Sequence, residues 1–133
     1  MALRIVLVDD DENLAELLRA NLALDPRFQL LAYAANGRDG VRLVAELRPD
    51  AVLMDLHMPV LGGVGATREI VAADPRACVI VFTSSADPGE LDAARRAGAT
   101  AVLGKPFDPE AFLDAVAEHA RRCQRRGRRA DAA

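Results

Sequence analysis

The stretch Ala51–Pro59, which reads AVLMDLHMP, places a carboxylate directly after four apolar residues. A short run of this composition is typical of a strand that is buried on both faces of a parallel sheet. Asp55 would close that strand, and a charged side chain in a buried position is costly unless a partner offsets it. The stretch therefore predicts an α/β sheet with a functional acid at Asp55.

Two other apolar runs also end in charged residues. Ile5–Val8 leads into the acids Asp9–Asp11, and Ala101–Leu103 leads through Gly104 into Lys105. The carboxyl ends of parallel strands gather at one edge of the sheet, where ligands of such folds bind. We therefore expect a cluster of carboxylates facing one lysine, which suits a divalent cation and a phosphoryl group.

Short apolar runs alternate with amphipathic stretches five times along the chain. The runs are Ile5–Val8, Phe28–Ala34, Ala51–Met54, Cys78–Phe82 and Thr100–Leu103. Gln29 and Tyr33 interrupt the second run, which favours an edge strand. Alternation of this kind predicts βαβ units with right-handed crossovers and a three-layer sandwich.

Capping and breaking residues delimit the five predicted helices. Asp11 or Asn13 could cap the first helix, and Asp87-Pro88 and Asp108-Pro109 open the fourth and the fifth. Gly98 is placed to end the fourth helix. The chain after residue 122 is expected to be a helix end that frays into a tail.

The charge is distributed unevenly. The net charge of the 133 residues is -3, whereas residues 121–133 hold six arginines and one aspartate, so residues 1–120 carry -8 (-3 minus +5). An acidic body argues against direct nucleic-acid binding by the domain. The basic tail is interpreted as a solvated helix end, with a phosphate-contacting patch as the alternative.

Hydropathy, the N-terminus and the cysteines bear on the cellular compartment. It has no apolar run long enough to cross a membrane and no signal-peptide pattern at Met1, so no membrane partner is expected. The two cysteines lack the spacing of a metal site, and Cys78 is expected to be a small buried residue. A reducing, cytoplasmic location is the simplest prediction.

Five side chains are predicted to converge on the carboxyl edge: Asp9, Asp10, Asp55, Thr83 and Lys105. Carboxylates held close together repel one another unless a cation lies among them, and hard oxygen ligands favour Mg²⁺ or Ca²⁺. Mg²⁺ binds typically through one or two carboxylates together with a phosphoryl oxygen. Lysine and threonine supply donors to an anion.

Several motifs together resemble the receiver domain of bacterial two-component response regulators. They are Val8–Glu12, Met54–Pro59, Gly63, Val81–Thr83, Ala97–Ala99 and Gly104–Phe107. The resemblance covers nearly the whole chain and implies a receiver domain over residues 1–122, followed by an arginine-rich tail or linker over residues 123–133. It also implies a flavodoxin-like (βα)5 fold with strand order 2-1-3-4-5.

The resemblance implies a role for each residue of the metal site. Asp10 and Asp55 would bind Mg²⁺ directly, Asp9 would bind it mainly through water, and the backbone carbonyl of His57 would complete the site. The ring of His57 is not expected to be a ligand.

The resemblance also implies the phosphoryl chemistry. Asp55 would accept a phosphoryl group from a partner sensor histidine kinase, and Thr83 and Lys105 would contact its oxygens. The domain would catalyse only its own phosphorylation and dephosphorylation, and so would not be an enzyme acting on other substrates. The downstream partner would be a protein or an effector domain.

Four positions depart from the pattern of the family or are specific to this chain. In receiver domains, an aromatic residue usually occupies the position of Val102 and swings inward together with the threonine that corresponds to Thr83. Gly62 occupies a position where an acidic residue is common in the family. His57 and Ser85 occupy the positions that flank the path of the attacking water in such domains. We expect these two residues to set the lifetime of the phosphoryl group.

Alternatives remain open at the level of the sequence. A stand-alone receiver is favoured over the truncated receiver of a DNA-binding transcription factor, because no apolar pattern follows the tail. A flavodoxin would need a phosphate-binding loop where Asp9–Asp11 stand. A haloacid-dehalogenase-type phosphatase would leave Asp55 without a role. Homodimers through the first and fifth helices or through the output face are both compatible with the sequence.

Overall fold

The computed structural model describes residues 1–105 and 108–132, and in these ranges five strands alternate with five helices. The strands are β1 Leu3–Val8, β2 Phe28–Ala34, β3 Ala51–Asp55, β4 Val79–Thr83 and β5 Ala101–Gly104. The helices are α1 Glu12–Leu24, α2 Gly37–Leu47, α3 Gly63–Ala73, α4 Pro88–Arg96 and α5 Pro109–Ala132. Pro106 and Phe107, which belong to the predicted motif after β5, lie outside the described residues.

The strands form one parallel sheet in the order β2-β1-β3-β4-β5, as the resemblance implies. The predicted edge position of β2 is confirmed, and Gln29 is exposed there. The order reverses direction between β1 and β3, which lie side by side at the centre. Ligand sites of doubly wound sheets form at this switch point, next to the carboxyl ends of the strands.

Each face of the sheet carries its own hydrophobic cluster, because successive side chains of a strand point to opposite faces. Leu7, Leu53 and Phe82 pack with α1 and α5 on one face. Val8 and Met54 pack with α2, α3 and α4 on the other. The central strands are therefore covered on both sides, and the predicted three-layer sandwich is confirmed.

The helix ends follow the predicted capping residues. Asp11, not Asn13, caps α1, and its side chain accepts hydrogen bonds from the backbone N–H groups of Asn13 and Leu14 at 3.1 and 3.2 Å. Asp87 caps α4 with Pro88 in the first turn. Gly98 has a φ of 113° just after α4, a conformation that a residue with a side chain rarely adopts.

Helix α5 continues to Ala132, through the segment that the sequence was expected to leave as a frayed tail. Arginine, alanine and glutamine are strong helix formers, so their run after residue 120 continues the helix although Gly127 interrupts it. Gln124 also anchors this part, because its side chain donates to Asp50 at 2.5 Å. The division into a domain over 1–122 and a tail over 123–133 stays a prediction.

The two cysteines are paired, which the sequence analysis did not predict. Cys78 precedes β4, Cys123 lies on α5, and the structure joins them in a disulfide with Cα atoms 6.0 Å apart. The link spans 45 residues of sequence and depends on how α5 crosses the sheet. Cys78 is a small buried residue of the core, as predicted, and the pairing of its sulfur is an additional finding.

Among the described residues, every helix is too short or too polar to cross a membrane.

Candidate functional site

Three acidic side chains meet at the carboxyl edge of the sheet. Asp9 and Asp10 follow β1, and Asp55 is the last residue of β3. One carboxylate oxygen of each lies within 4.8 Å of the others. Asp9 and Asp55 are buried and Asp10 is exposed, so the cluster opens to solvent on one side. The predicted convergence of these three residues is confirmed.

The Asp9 carboxylate has the features of a group that receives a cation. One oxygen accepts a hydrogen bond from the backbone N–H of Asp11 at 3.0 Å. The other oxygen is buried and has no hydrogen-bond partner in the described part of the chain. Burial, aided by the neighbouring Asp55, raises the pKa of Asp9 to about 7. Burial and Asp55 also raise the pKa of Asp10.

These features fit a hard divalent cation. A buried carboxylate oxygen without a partner is costly, and a cation bound to it would remove that cost. Oxygen is the only ligand type that Asp9, Asp10 and Asp55 offer, and this donor set suits Mg²⁺ rather than a softer metal.

The raised pKa of Asp9 predicts a pH-dependent stability. The folded protein keeps this proton up to about pH 7, whereas the ordinary carboxyl loses it near 3.8. The stabilisation that comes from this proton is complete below about pH 3.8, and it is lost as the pH rises through about 7. We expect the melting temperature in a chelator to fall between about pH 5 and about pH 8, and Asp9→Asn to reduce this fall.

Thermal melts of the parent, Asp9→Asn and the exposed control Asp92→Asn test this expectation. Mg²⁺ should raise the melting temperature of the parent more at the higher pH, because it binds the ionised carboxylates. A fall of equal size in the parent and in Asp9→Asn would contradict the assignment.

Lys105 faces the cluster, as the sequence predicts. Its Nζ donates to an Asp55 oxygen at 3.2 Å, and the two side chains are only 14% and 8% exposed. The ammonium group also lies 4.7 Å from the centre of the Phe82 ring. The Lys105 backbone N–H donates to the carbonyl of Thr83 at 2.7 Å, which fixes the chain at the end of β5. One cation is therefore held directly against the predicted nucleophile.

Thr83 ends β4 and is buried beside the site. Asp55 pairs with Phe82 in the register between β3 and β4, so Thr83 lies one position further along the same edge. Its hydroxyl oxygen accepts a hydrogen bond from the Ser85 backbone N–H at 3.0 Å. The hydroxyl hydrogen is therefore available to donate to an anion on Asp55.

The ring of His57 does not enter the acid cluster. Its Nε2 lies 3.1 Å from a carboxylate oxygen of Glu90, and the Ser85 hydroxyl donates to the other oxygen of Glu90. These contacts, with the Ser85 hydroxyl contributing most, hold the pKa of Glu90 below its usual range. The metal-binding role of the His57 carbonyl stays a prediction. No motif of the sequence indicates this bridging position of Glu90.

Gly63 lets α3 begin against the end of β3. A Cβ at this position would lie 2.2 Å from the carbonyl oxygen of Asp55 and 2.7 Å from the Cα of Leu56. The Gly63 backbone N–H also donates to the Leu56 carbonyl at 2.8 Å. The close approach thus fixes the backbone that carries Asp55.

We expect Gly63→Ala to destabilise the fold by about 1–3 kcal/mol, because the added methyl group meets backbone that can move only by displacing Asp55. Gly127→Ala is a matched control, since the added Cβ would meet no described atom within 4 Å. This substitution should stabilise the helix by at most about 1 kcal/mol. Urea unfolding measures both changes. Equal free energies of unfolding for Gly63→Ala and the parent would show that the contact is easily relieved.

A doubly wound sheet with three acids and one lysine at its carboxyl edge is the arrangement expected of a two-component signalling domain. The chain belongs to the response regulator receiver domain family, whose model matches residues 5–117. The fold and the class of function implied by the resemblance are thereby confirmed.

Relatives of two kinds are similar to the chain. The chemotaxis protein CheY of Halobacterium salinarum is 36% identical over 118 residues, which cover 89% of this chain and 97% of CheY. The transcriptional regulatory protein DegU of Brevibacillus brevis is 33% identical over 86% of this chain, but the match covers only 48% of DegU. The chain thus spans about half the length of one relative and nearly all of another.

A solved structure agrees with this assignment. The two-component response regulator of the LuxR family from Aurantimonas sp. is 33% identical and superposes with a TM-score of 0.84. The superposition covers 90% of this chain and 86% of that chain.

Proposed function

We propose that this receiver domain takes a phosphoryl group onto Asp55 from a sensor histidine kinase and so switches its affinity for a protein partner. The direct contact of Lys105 Nζ with Asp55, beside two further carboxylates, is the observation that carries the proposal. A carboxylate flanked by a fixed cation and a metal-binding pair is suited to attack phosphorus and to hold the charged product.

The transfer is an in-line displacement. An Asp55 oxygen forms the new O–P bond while the P–N bond of the phosphohistidine breaks, and its electron pair returns to the imidazole. Lys105 already lies at the Asp55 carboxylate and would pair with a phosphoryl oxygen in the product. Thr83 would donate its hydroxyl hydrogen to another phosphoryl oxygen.

Magnesium is the proposed cofactor. Asp10, Asp55 and the His57 carbonyl would bind it directly, and Asp9 through water. The ion would supply neutralising charge and orientation for the phosphoryl oxygens. The orphaned oxygen of Asp9 and the raised pKa values of both acids support this donor set.

Phosphorylation would act on the loop after β4. The phosphoryl group adds nearly two negative charges. Drawing the Thr83 hydroxyl towards it would shift the β4–α4 loop and with it the output face of α4, β5 and α5. Val102 lies on β5 and is partly buried, and a valine cannot rotate between two states as an aromatic side chain can. The switch would therefore depend on the loop itself, as a shift between two packings.

The partners and the location are part of the proposal. We propose a sensor kinase as donor, a protein or an attached effector domain as receiver of the signal, and no catalysis of reactions on other molecules. CheY, of which the match covers 97%, corresponds to the favoured stand-alone receiver, and DegU, of which it covers 48%, to the alternative with an attached effector domain. The cytoplasmic location stays a prediction, and the Cys78–Cys123 pairing is the observation that bears against a reducing compartment.

Incubation with Mg²⁺ and a small phosphodonor tests the function. A receiver should accumulate one acyl phosphate per chain, detected as added mass on the intact protein. A phosphatase of the haloacid-dehalogenase type should instead turn over phosphate esters many times and retain no phosphoryl group. Multiple turnover without a stable adduct would overturn the proposal.

A further inference from the structure

Glu90 joins two loops that the phosphoryl chemistry requires. One of its oxygens lies 3.1 Å from Nε2 of His57, in the β3–α3 loop. The other accepts a hydrogen bond from the hydroxyl of Ser85, in the β4–α4 loop. We call this set of contacts the Glu90 bridge. It connects residues that are 28 positions apart in sequence (57 and 85) through a third residue on α4.

The helix itself does not require this bridge. Asp87 already caps α4, because its side chain accepts from the backbone N–H of Gly89 at 2.9 Å. An acid in the first turn is favoured by the helix dipole whatever direction its side chain takes. The Glu90 side chain nevertheless spans from one loop to the other, so the contacts with His57 and Ser85 account for its position.

The bridge lies at the phosphoryl edge of the sheet. His57 stands two residues after Asp55, and Ser85 stands two residues after Thr83, at the ends of neighbouring strands. The backbone N–H of Ser85 also donates to the Thr83 hydroxyl oxygen. The Ser85 end of the bridge is therefore hydrogen-bonded to Thr83, and the His57 end lies two residues along the chain from Asp55.

Hydrolysis of an acyl phosphate on Asp55 has a defined direction. The bond that breaks joins phosphorus to the Asp55 oxygen, so water must approach from the opposite side of phosphorus. Asp55 and Thr83 end neighbouring strands, and the loops that carry His57 and Ser85 begin at this same edge of the sheet. A side chain fixed across the loops restricts this approach, whereas a mobile one leaves it open.

We propose that Glu90 is a positioning residue that holds His57 and Ser85 across the solvent side of the site and thereby slows hydrolysis of the phosphoryl group on Asp55. The inference rests on the proposed function, since it concerns the fate of the phosphorylated state. In the in-line transfer the leaving nitrogen of the donor lies on this same side of phosphorus, so formation and loss of the phosphoryl group are measured as separate rates.

Three variants of the full chain test the proposal. Glu90→Ala removes both contacts, and we expect the phosphoryl group to be lost about threefold to tenfold faster, the effect of losing hydrogen bonds of ordinary strength. Glu90→Gln keeps an acceptor for Ser85 and a donor for His57, so it should behave like the parent. Asp92→Ala removes a carboxylate of the same helix whose ion pair is with Arg96, and should leave the lifetime unchanged.

The measurement follows the adduct by intact mass after the phosphodonor is removed, with formation followed separately in excess donor. Adding Glu90→Ala to a His57→Ala, Ser85→Ala background should change the lifetime little, because residues that act as one unit are not additive. A thermal melt of each variant checks that the fold is retained.

The outcomes separate the inference from the function. A parent that forms no adduct overturns the proposed function itself. A parent with a stable adduct, together with an unchanged lifetime in Glu90→Ala, overturns the role of Glu90 alone. If Glu90→Ala and Glu90→Gln accelerate loss of the phosphoryl group equally, the proposed role of Glu90 is also overturned. Equal rates would mean that the negative charge, and not the two hydrogen bonds, causes the effect.

Discussion

Asp55→Asn is expected to abolish the phosphoryl adduct that the parent forms with Mg²⁺ and acetyl phosphate. The amide oxygen that replaces the carboxylate has no negative charge and is a poor nucleophile, so covalent catalysis at this position is lost. Removing the nucleophile of a covalent mechanism typically lowers the rate by at least about 10³-fold. Intact mass spectrometry at fixed times measures the loss directly.

The variant should remain folded, which makes the result interpretable. Asparagine removes the partner of Lys105, but it also removes the negative charge that helps to raise the pKa values of Asp9 and Asp10. These two effects oppose each other, so we expect a melting temperature close to that of the parent in chelator. Asp92→Asn, exposed on α4, is the control that should accept phosphorus at the parental rate. An adduct of the same mass, formed at the same speed in Asp55→Asn, would eliminate Asp55 as the acceptor.

The acid cluster was predictable because it depends on a rule of topology. Asp9, Asp55 and Lys105 each follow an apolar run, and parallel strands bring such ends to one edge. This prediction required only the order of the strands and no knowledge of side-chain packing. The cap of α1 was less certain, because Asp11 and Asn13 carry similar capping side chains, and only the path of the loop decides between them.

The Glu90 bridge and the disulfide were not predictable for a common reason. Each depends on where an element from a distant part of the sequence comes to lie. Glu90 suits both a helix start and a bridge, and only the positions of two loops show the second role. Cys78 and Cys123 follow no spacing rule, because their separation is set by the crossing of α5 over the sheet. Local patterns identify elements and their ends, and they carry little information on such contacts.

The course of α5 after Ala120 is an intermediate case. The absence of an apolar pattern in this arginine-rich segment predicts a fraying end, yet the intrinsic helix propensity of arginine is high. Cys123 and Gln124 contact Cys78 and Asp50 and hold the first turn of this extension against the body. Among the side chains that the structure describes, Cys123 and Gln124 thus tie the start of this polar segment to the domain.

Reduction of the Cys78–Cys123 disulfide is expected to lower the free energy of unfolding by about 4 kcal/mol, the entropic effect of opening a loop of this length in the unfolded chain. The pair joins the start of β4 to α5, so the folded sheet and helix should keep their contacts after reduction. Urea unfolding with and without dithiothreitol measures the change. In the oxidised protein, a peptide that contains both cysteines should appear in a non-reducing digest.

Cys123→Ser provides the control, because Cys123 is partly exposed and a serine hydroxyl there costs little free energy. A serine at the buried Cys78 would instead place a polar group in the core. The variant should match the reduced parent in stability and should not respond to dithiothreitol. The disulfide stabilises the protein only in an oxidising compartment, where disulfides persist. Two freely titrating thiols in the folded parent after exposure to oxidised glutathione would show that the pair does not close.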